Sequence, residues 1–272
     1  MKIDFRAANP IQTKIPKDYK QYKEAKDNVV IQSNTQPCKR TSRSDEQFRQ
    51  IFMKTGIVTQ ASGSSYIEIE QTKLICSVHG PRATHKTELF ETAKLNCELK
   101  YATFSVSGER ADYVESTKEK DYGLIITQSI IGALRLEKYP KAVIDVYIMV
   151  LNDDGAVLEA AITAASMALA DAGVEMYDMV ASCSSVCLGD KVLLDPTHKE
   201  ESLAQAGHVL VSKMPSLNEI TQLLQTGELS YSNVVDGIDL CIDGCDKMYS
   251  IMRQSLVDSL QKKLEKKEQQ LE

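Results

Sequence analysis

The sequence lacks any apolar run near the ~18–20 residues that a membrane-spanning helix requires. Its first residues, Met1 to Gln12, are polar and mixed in charge, so neither a membrane span nor a secretory signal is expected. Positive charge is not in excess either: 32 Lys and Arg stand against 38 Asp and Glu, a formal net charge of −6, with an isoelectric point near 5.4. Phosphate binding needs cations, so this balance argues against a free-standing nucleic-acid clamp. Any RNA contact has to come from a local basic patch or from partner subunits. No GxxxxGK[ST] or GxGxxG loop occurs, which leaves a free-standing kinase or metabolic enzyme without a phosphate cradle. The cysteines (Cys38, Cys76, Cys97, Cys183, Cys187, Cys241 and Cys245) are odd in number and form no CxxC pair, so the usual zinc-site spacing is missing. Cys241 and Cys245 fall instead on a helical stripe with Val234, Ile238, Met248 and Met252, and Cys183 and Cys187 lie in an apolar run. Both pairs therefore read as core thiols, and reduced thiols point to an intracellular protein.

What remains is a chain of 272 residues, 43% hydrophobic and 26% charged, enough for one large domain or two small ones with a sizeable core. Residues 1–45, punctuated by Pro10, Pro16 and Pro37, are polar and poorly periodic, and read as a flexible extension. Order is expected from about Arg49. Ile67 and Ile69 alternate with Tyr66, Glu68 and Glu70, and Lys73–Val78 returns apolar, which predicts a hairpin turning at Gln71-Thr72. Strands are expected at 96–104 and 142–151, and a helix at 121–134. Asp153-Asp154-Gly155 reads as a turn into an alanine-rich helix over 159–173, with Gly173 as its cap. A second hairpin spans 179–188 and 191–194 around Gly189-Asp190, followed by a strand at 207–213. Ser216 and Glu219 have capping-box spacing ahead of Ile220, Leu223 and Leu224, which predicts a helix ending at Gly227. A last helix is expected from about Asn233 into the 260s, with Lys262–Glu268 as a solvated charged face. Strands and helices do not alternate strictly, so the pattern predicts an α+β fold with mixed sheets and βαβ units rather than a doubly wound sheet. No short internal repeat is present.

Several motifs resemble the RNase PH family. Gly63-Ser64-Ser65-Tyr66-Ile67-Glu68 and Lys73 through Arg82 are similar to the family's opening strands. Asp154-Gly155 followed by Ala160 through Gly173 is similar to its central helix. Val174-Glu175-Met176-Tyr177-Asp178, Leu193 through Thr197 and Glu200-Glu201 resemble a ring subunit of the RNA exosome. The resemblance spans about residues 46–260 and implies an RNase PH-like fold of the ribosomal-protein-S-five-like kind. Its two halves would cover 46–177 and 178–262, leaving the extension 1–45 and a charged tail 263–272 outside. It also implies partners: other RNase PH-like subunits in a hetero-hexameric ring, cap subunits, an associated catalytic ribonuclease, and RNA threaded through the channel. No cofactor or metal is implied, and the setting would be the nucleus, nucleolus and cytoplasm.

The family's usual chemistry is phosphorolysis of RNA from its 3′ end, which requires an anion pocket, carboxylates near the scissile bond, and basic residues along the RNA backbone. Active members follow Asp-Gly with Gly-Thr-Arg at the head of the central helix. This chain carries Ala156-Val157-Leu158 there, one hydroxyl donor and one positive charge fewer, and Glu159 adds an acid beside them. Each such contact is worth ~2.7–4 kcal/mol of transition-state stabilisation. The family's two aspartates after the Glu-Glu step would fall on Ser202 and His208, or on Glu201 and Gly207 after a one-residue slip. Asp195 is read as closing the turn before Pro196 and not as a catalytic acid. The resemblance thus implies no catalytic residue and a non-catalytic ring subunit, the alternative being an active phosphate-dependent 3′-to-5′ exoribonuclease. Candidate RNA contacts are Arg82, Arg110, Lys118 and Lys120. Lys86, Arg135 and Lys138 are read as ordinary surface cations, and His79 and His85 as structural or solvated.

Overall fold

The computed structural model describes residues 40, 43–83, 92–106, 110, 114, 116–189, 191–202 and 207–271. Five strands, β1 (Ile51–Thr55), β2 (Gly63–Ile69), β3 (Thr72–Ala83), β4 (Lys94–Tyr101) and β5 (Ala142–Asn152), form one sheet in the order β1-β2-β3-β5-β4. Period-two alternation sets its inner face: Ser65, Ile67 and Ile69 are buried while Tyr66 and Glu68 are half-buried. The first hairpin turns at Glu70, whose φ is 54°. It turns one residue earlier than expected because Thr72 belongs to β3, where its buried hydroxyl donates to the Gly155 carbonyl at 2.8 Å. β4 and β5 run parallel, while the other neighbours in the sheet are antiparallel. Helix α1 (Thr117–Ile131) lies between β4 and β5 in the chain and packs on β4, which makes the anticipated βαβ unit. It begins four residues before the expected start, because Ser116 and Glu119 close a reciprocal capping box.

α2 (Val157–Asp171) is the helix around which both sheets are built. Every side chain from Val157 to Leu169 is buried. The helix packs on β2 and β3 on one side and on β6 (Ala181–Leu188) on the other, which only the small side chains of Ala160, Ala161, Ala164, Ala165 and Ala168 allow. Gly63 marks the closest approach. A Cβ there would lie 2.3 Å from the Ala172 nitrogen and 2.4 Å from the Ala168 carbonyl oxygen, so no side chain fits.

The second sheet contains β6, β7 (Lys191–Leu194), β8 (Gly207–Met214) and β9 (Glu219–Thr226), in the antiparallel order β7-β6-β8-β9. β6 is buried on both faces. Its even side faces α2, where the Ser184 hydroxyl donates to Glu159. Its odd side faces α4 (Tyr231–Leu271), where the Ser185 hydroxyl donates to the Gly237 carbonyl at 3.4 Å. Cys241, Cys245, Met248 and Met252 are buried on α4, and Val234 and Ile238 are half-buried, which is the stripe the spacing predicts. The six described cysteines are free thiols. Burial pushes Cys97 up to about 11 and holds Cys76 and Cys183 well above the ordinary thiol value. Cys38 lies outside the described residues. No helix among the described residues is long and apolar enough to cross a membrane.

The helix expected at 216–227 is strand β9. Asn218 turns the chain in a left-handed conformation at φ 56°, and β8 offers an edge on which Glu219–Thr226 pairs. Ser216 is not available as a cap. Its N–H donates to Asp178 at 2.8 Å and its hydroxyl bonds the Tyr249 hydroxyl at 2.9 Å. Strand pairing overrides the local helix signal. At the other end, α4 continues through Leu271, so residues 263–271 of the expected tail are helical, and Lys263 pairs with Asp171 at 2.7 Å.

Candidate functional site

β5 turns into α2 through Asp153-Asp154-Gly155-Ala156. Gly155 (φ 85°) has no room for a side chain, because a Cβ would stand 2.5 Å from the His198 nitrogen on the short helix α3 (His198–Glu201). The His198 N–H donates to the Asp154 carbonyl at 2.9 Å, and the Gly155 N–H donates to the Asp153 carboxylate at 3.0 Å. Ala156 caps α2 from the left-handed region, φ 61° and ψ 26°, and contributes no capping side chain. A side chain from α3 completes the cap: Glu201 accepts from the Ala156 N–H at 2.8 Å. A carboxylate therefore sits on a leading donor of the helix, where the partial positive charge of an N-terminus favours an anion.

The three side chains that follow are all turned inward. Val157, Leu158 and Glu159 are 6, 7 and 6% exposed. Burial, and then the nearby Glu201 charge, push the Glu159 carboxyl up to about 8 against the pull of the Ser184 hydroxyl. Burial also raises Glu201, with the Ala156 N–H pulling the other way.

These residues form one wall of a cleft of about 370 Å³. Glu201, Ser202 and His198 of the α3 region line a second side, and His208, Leu210, Leu224 and Thr226 of the second sheet a third. Tyr101, Tyr122 and Lys118 complete it from β4 and α1. The Lys118 ammonium lies over both rings, 5.3 Å from the Tyr122 centroid and 5.9 Å from that of Tyr101. Among the described residues, no three His, Cys, Asp or Glu side chains converge into a metal-ion site. With the carboxylates of Asp153 and Glu201 along its lining, beside a Glu159 carboxyl that burial holds towards its neutral form, the cleft is acidic where an attacking phosphate would need hydrogen-bond donors and cations.

A buried ion lattice holds α3 and the turn in place. Arg49, its side chain fully buried, reaches Asp195 at 2.6 Å and the Asp154 carbonyl at 2.9 Å. Arg43 adds a second contact to Asp195 at 3.1 Å, and Arg40 grips Glu200 through two bonds of 2.8 and 2.9 Å. Burial works against ionised Glu200, but the Arg40 bonds outweigh it and leave the carboxyl below its ordinary value. Asp195 is thus more than a turn residue. It sits in the left-handed region at φ 51°, 2% exposed, at the centre of the lattice. Arg40, Arg43 and Asp45 belong to the segment whose composition predicts a flexible extension, yet Arg40 and Arg43 are anchored here, and the Asp45 carbonyl accepts from the Leu194 N–H at 2.9 Å. Residues 1–39 lie outside the described residues.

The structure brings Ser202 and His208 to the cleft, the two places where the resemblance implies missing aspartates. Of the four candidate RNA contacts only Lys118 lines it. Arg82 pairs with Asp145 and keeps 62% of its side chain exposed, while Arg110 and Lys120 are exposed elsewhere on the surface. Arg135 stacks on Tyr177 at 4.7 Å, Lys138 pairs with Glu175, and His79 packs edge-on against Tyr147 at 5.8 Å. Lys86 and His85 lie outside the described residues. Tyr101, Tyr122, His198 and the three arginines of the lattice were not anticipated. The one signal for the lattice was the crowding of Arg40, Arg43 and Arg49 opposite Asp195 and Glu200, whose pairing no local pattern reveals.

Comparison with known proteins agrees with this architecture. Residues 47–175 match the model of domain 1 of the 3′ exoribonuclease family, RNase PH, and residues 178–244 match domain 2. An Arabidopsis thaliana protein named exosome complex component RRP41-like is 37% identical over 218 residues, spanning 80% of this chain and 83% of the relative. The Mus musculus exosome complex component MTR3 is 36% identical over 233 residues, spanning 79% and 85%. The crystal structure of rice (Oryza sativa) Rrp46 superposes with a TM-score of 0.71 at 22% identity, covering 79% of this chain and 98% of that one, a likeness of fold. The chain belongs to the RNase PH family of 3′ exoribonucleases.

Proposed function

We propose that the chain is a non-catalytic RNase PH-like subunit of an RNA exosome core ring, where it helps frame the RNA channel and scaffolds 3′-to-5′ RNA processing and decay. The carrying observation is the head of α2. Where phosphorolysis needs a hydroxyl, a guanidinium and open backbone donors, this chain has buried Val157 and Leu158, buried Glu159, and the Glu201 carboxylate on the Ala156 N–H. The relatives named exosome complex components support the ring assignment. Its partners on this reading are RNase PH-like ring subunits, cap subunits and an associated ribonuclease, and its setting is the nucleus, nucleolus and cytoplasm. The two matched domains support a division into halves at 46–177 and 178–262. Arg82, Arg110, Lys118 and Lys120 are the proposed phosphate contacts along the RNA path.

The test is phosphate-dependent release of nucleoside diphosphates from RNA, by the chain alone and in its complex. No release by the chain alone is expected, and robust release would establish the alternative, an active exoribonuclease. The double variant Val157→Thr with Leu158→Arg probes the same point. It should gain phosphate binding that the natural chain lacks, and equal binding by both would count against the proposal.

A further inference from the structure

The cleft that has lost the means to hold phosphate is still a formed cavity, and its chemistry has changed sign. We propose that it binds a small organic cation carrying an alkylammonium or alkylguanidinium group. The inference rests on the non-catalytic reading of the same cleft. At about 370 Å³ the cavity is within the size of small-ligand sites. Its apolar lining, Val157 and Leu158 from the head of α2 with Leu210 and Leu224 from the second sheet, suits an aliphatic stem. Among the described residues, its polar lining contains the carboxylates of Asp153 and Glu201 and no arginine, the basic groups besides Lys118 being His198 and His208. An anion entering this space meets Glu201 already seated on the Ala156 N–H.

The second observation is a cation already in place. Lys118 is an exposed residue in the first turn of α1, where the helix dipole disfavours positive charge. Its ammonium is nevertheless drawn over the Tyr122 and Tyr101 rings at 5.3 and 5.9 Å. The two rings, and not the helix, hold it there. Lys118 stands in for the ligand's charged head, and its flexible stem lets it swing to solvent when a better-fitting cation enters.

Calorimetric titration of the full chain with agmatine, and separately with inorganic phosphate, tests this. Agmatine should bind and phosphate should not. Lys118→Met removes the resident cation and should tighten agmatine about two- to fivefold. Asp153→Asn keeps an oxygen for the Gly155 N–H and should weaken agmatine about fivefold or more. Agmatine failing to bind the Lys118→Met chain, or phosphate binding as tightly as agmatine, would overturn the proposal. Because the titration contains no RNA, its failure is separable from that of the non-catalytic reading, which only nucleoside diphosphate release can overturn.

Discussion

Glu159 is an acid in the first turn of α2 with nowhere to keep a charge. Its carboxyl lies near 8 in the folded chain, against an ordinary value of 4.5, because burial and then Glu201 disfavour ionisation. Below about pH 4.5 the group is protonated whether the chain is folded or not. Between about 4.5 and 8 the unfolded chain releases the proton and the folded chain keeps it, so stability falls as pH rises through that window. Glu159→Gln keeps a partner for Ser184 and removes the titration. Urea unfolding of this variant and the natural chain should coincide near pH 4.5 and diverge upward in pH. By pH 8 the variant should be more stable by on the order of a few kcal/mol, and parallel curves across the window would show that Glu159 is not held neutral. Three residues earlier, Ala156 occupies the left-handed region at φ 61°, a conformation that suits glycine. Ala156→Gly should therefore raise the denaturation midpoint by the equivalent of about 0.5–1 kcal/mol, the relief of left-handed strain exceeding the added freedom of the unfolded chain. A lower midpoint would mean that the turn carries no strain.

At the scale of elements, what was legible in the sequence was whatever repeats at a period. The alternation in β2, the alanine-rich run of α2 and the cysteine–methionine stripe of α4 each dictate an element and its buried face, and the family's motifs placed the cleft at the head of α2. Contacts between segments far apart in sequence left no such trace. The 216–227 segment carries a helix-start signal that β8 overrules by pairing, and the tyrosines of the cleft come from β4 and α1, which only the fold sets opposite α3. The Arg40–Arg43–Arg49 lattice is of this kind, joining the segment before β1 to the end of β7 and to α3. It makes a specific demand on stability. Arg49→Met leaves Asp195 charged and buried at 2% exposure with Arg43 alone paired to it, a loss of up to about 3 kcal/mol, the low end for a broken buried pair. Arg49→Met combined with Asp195→Leu removes both charges and should recover part of that loss. Equilibrium unfolding of the single and double variants checks it, and a double variant no better than the single would mean that packing rather than charge holds the lattice.

At the scale of the whole molecule, a large surface among the described residues is unaccounted for by their own core. On the outer face of the first sheet, Tyr66, Ile75 and Met149 lie in one register row, flanked by Phe52 and Tyr147. Phe52, Tyr147 and Met149 are 54, 41 and 49% exposed, and Phe52 packs edge-on to Tyr66 at 6.3 Å. The face has a charged border: Lys54, Glu68 and Lys73 on one side, Glu98 and Lys100 on the other. Apolar centres with polar rims of this kind are covered in stable assemblies. If the chain is a ring subunit, a neighbouring subunit covers this face, and the isolated chain should self-associate at micromolar concentration. Met149→Lys places a charge at the centre of the face without disturbing the buried row beneath it, so its cost to the fold should stay within about 0.5 kcal/mol. Native mass spectrometry of the assembly reconstituted with this variant should show the ring mass missing, while the variant's own thermal unfolding is unchanged. A full ring containing Met149→Lys would remove this face from the interface, and the contact with neighbours would have to be sought on the exposed Ile220 and Leu223 of β9 instead.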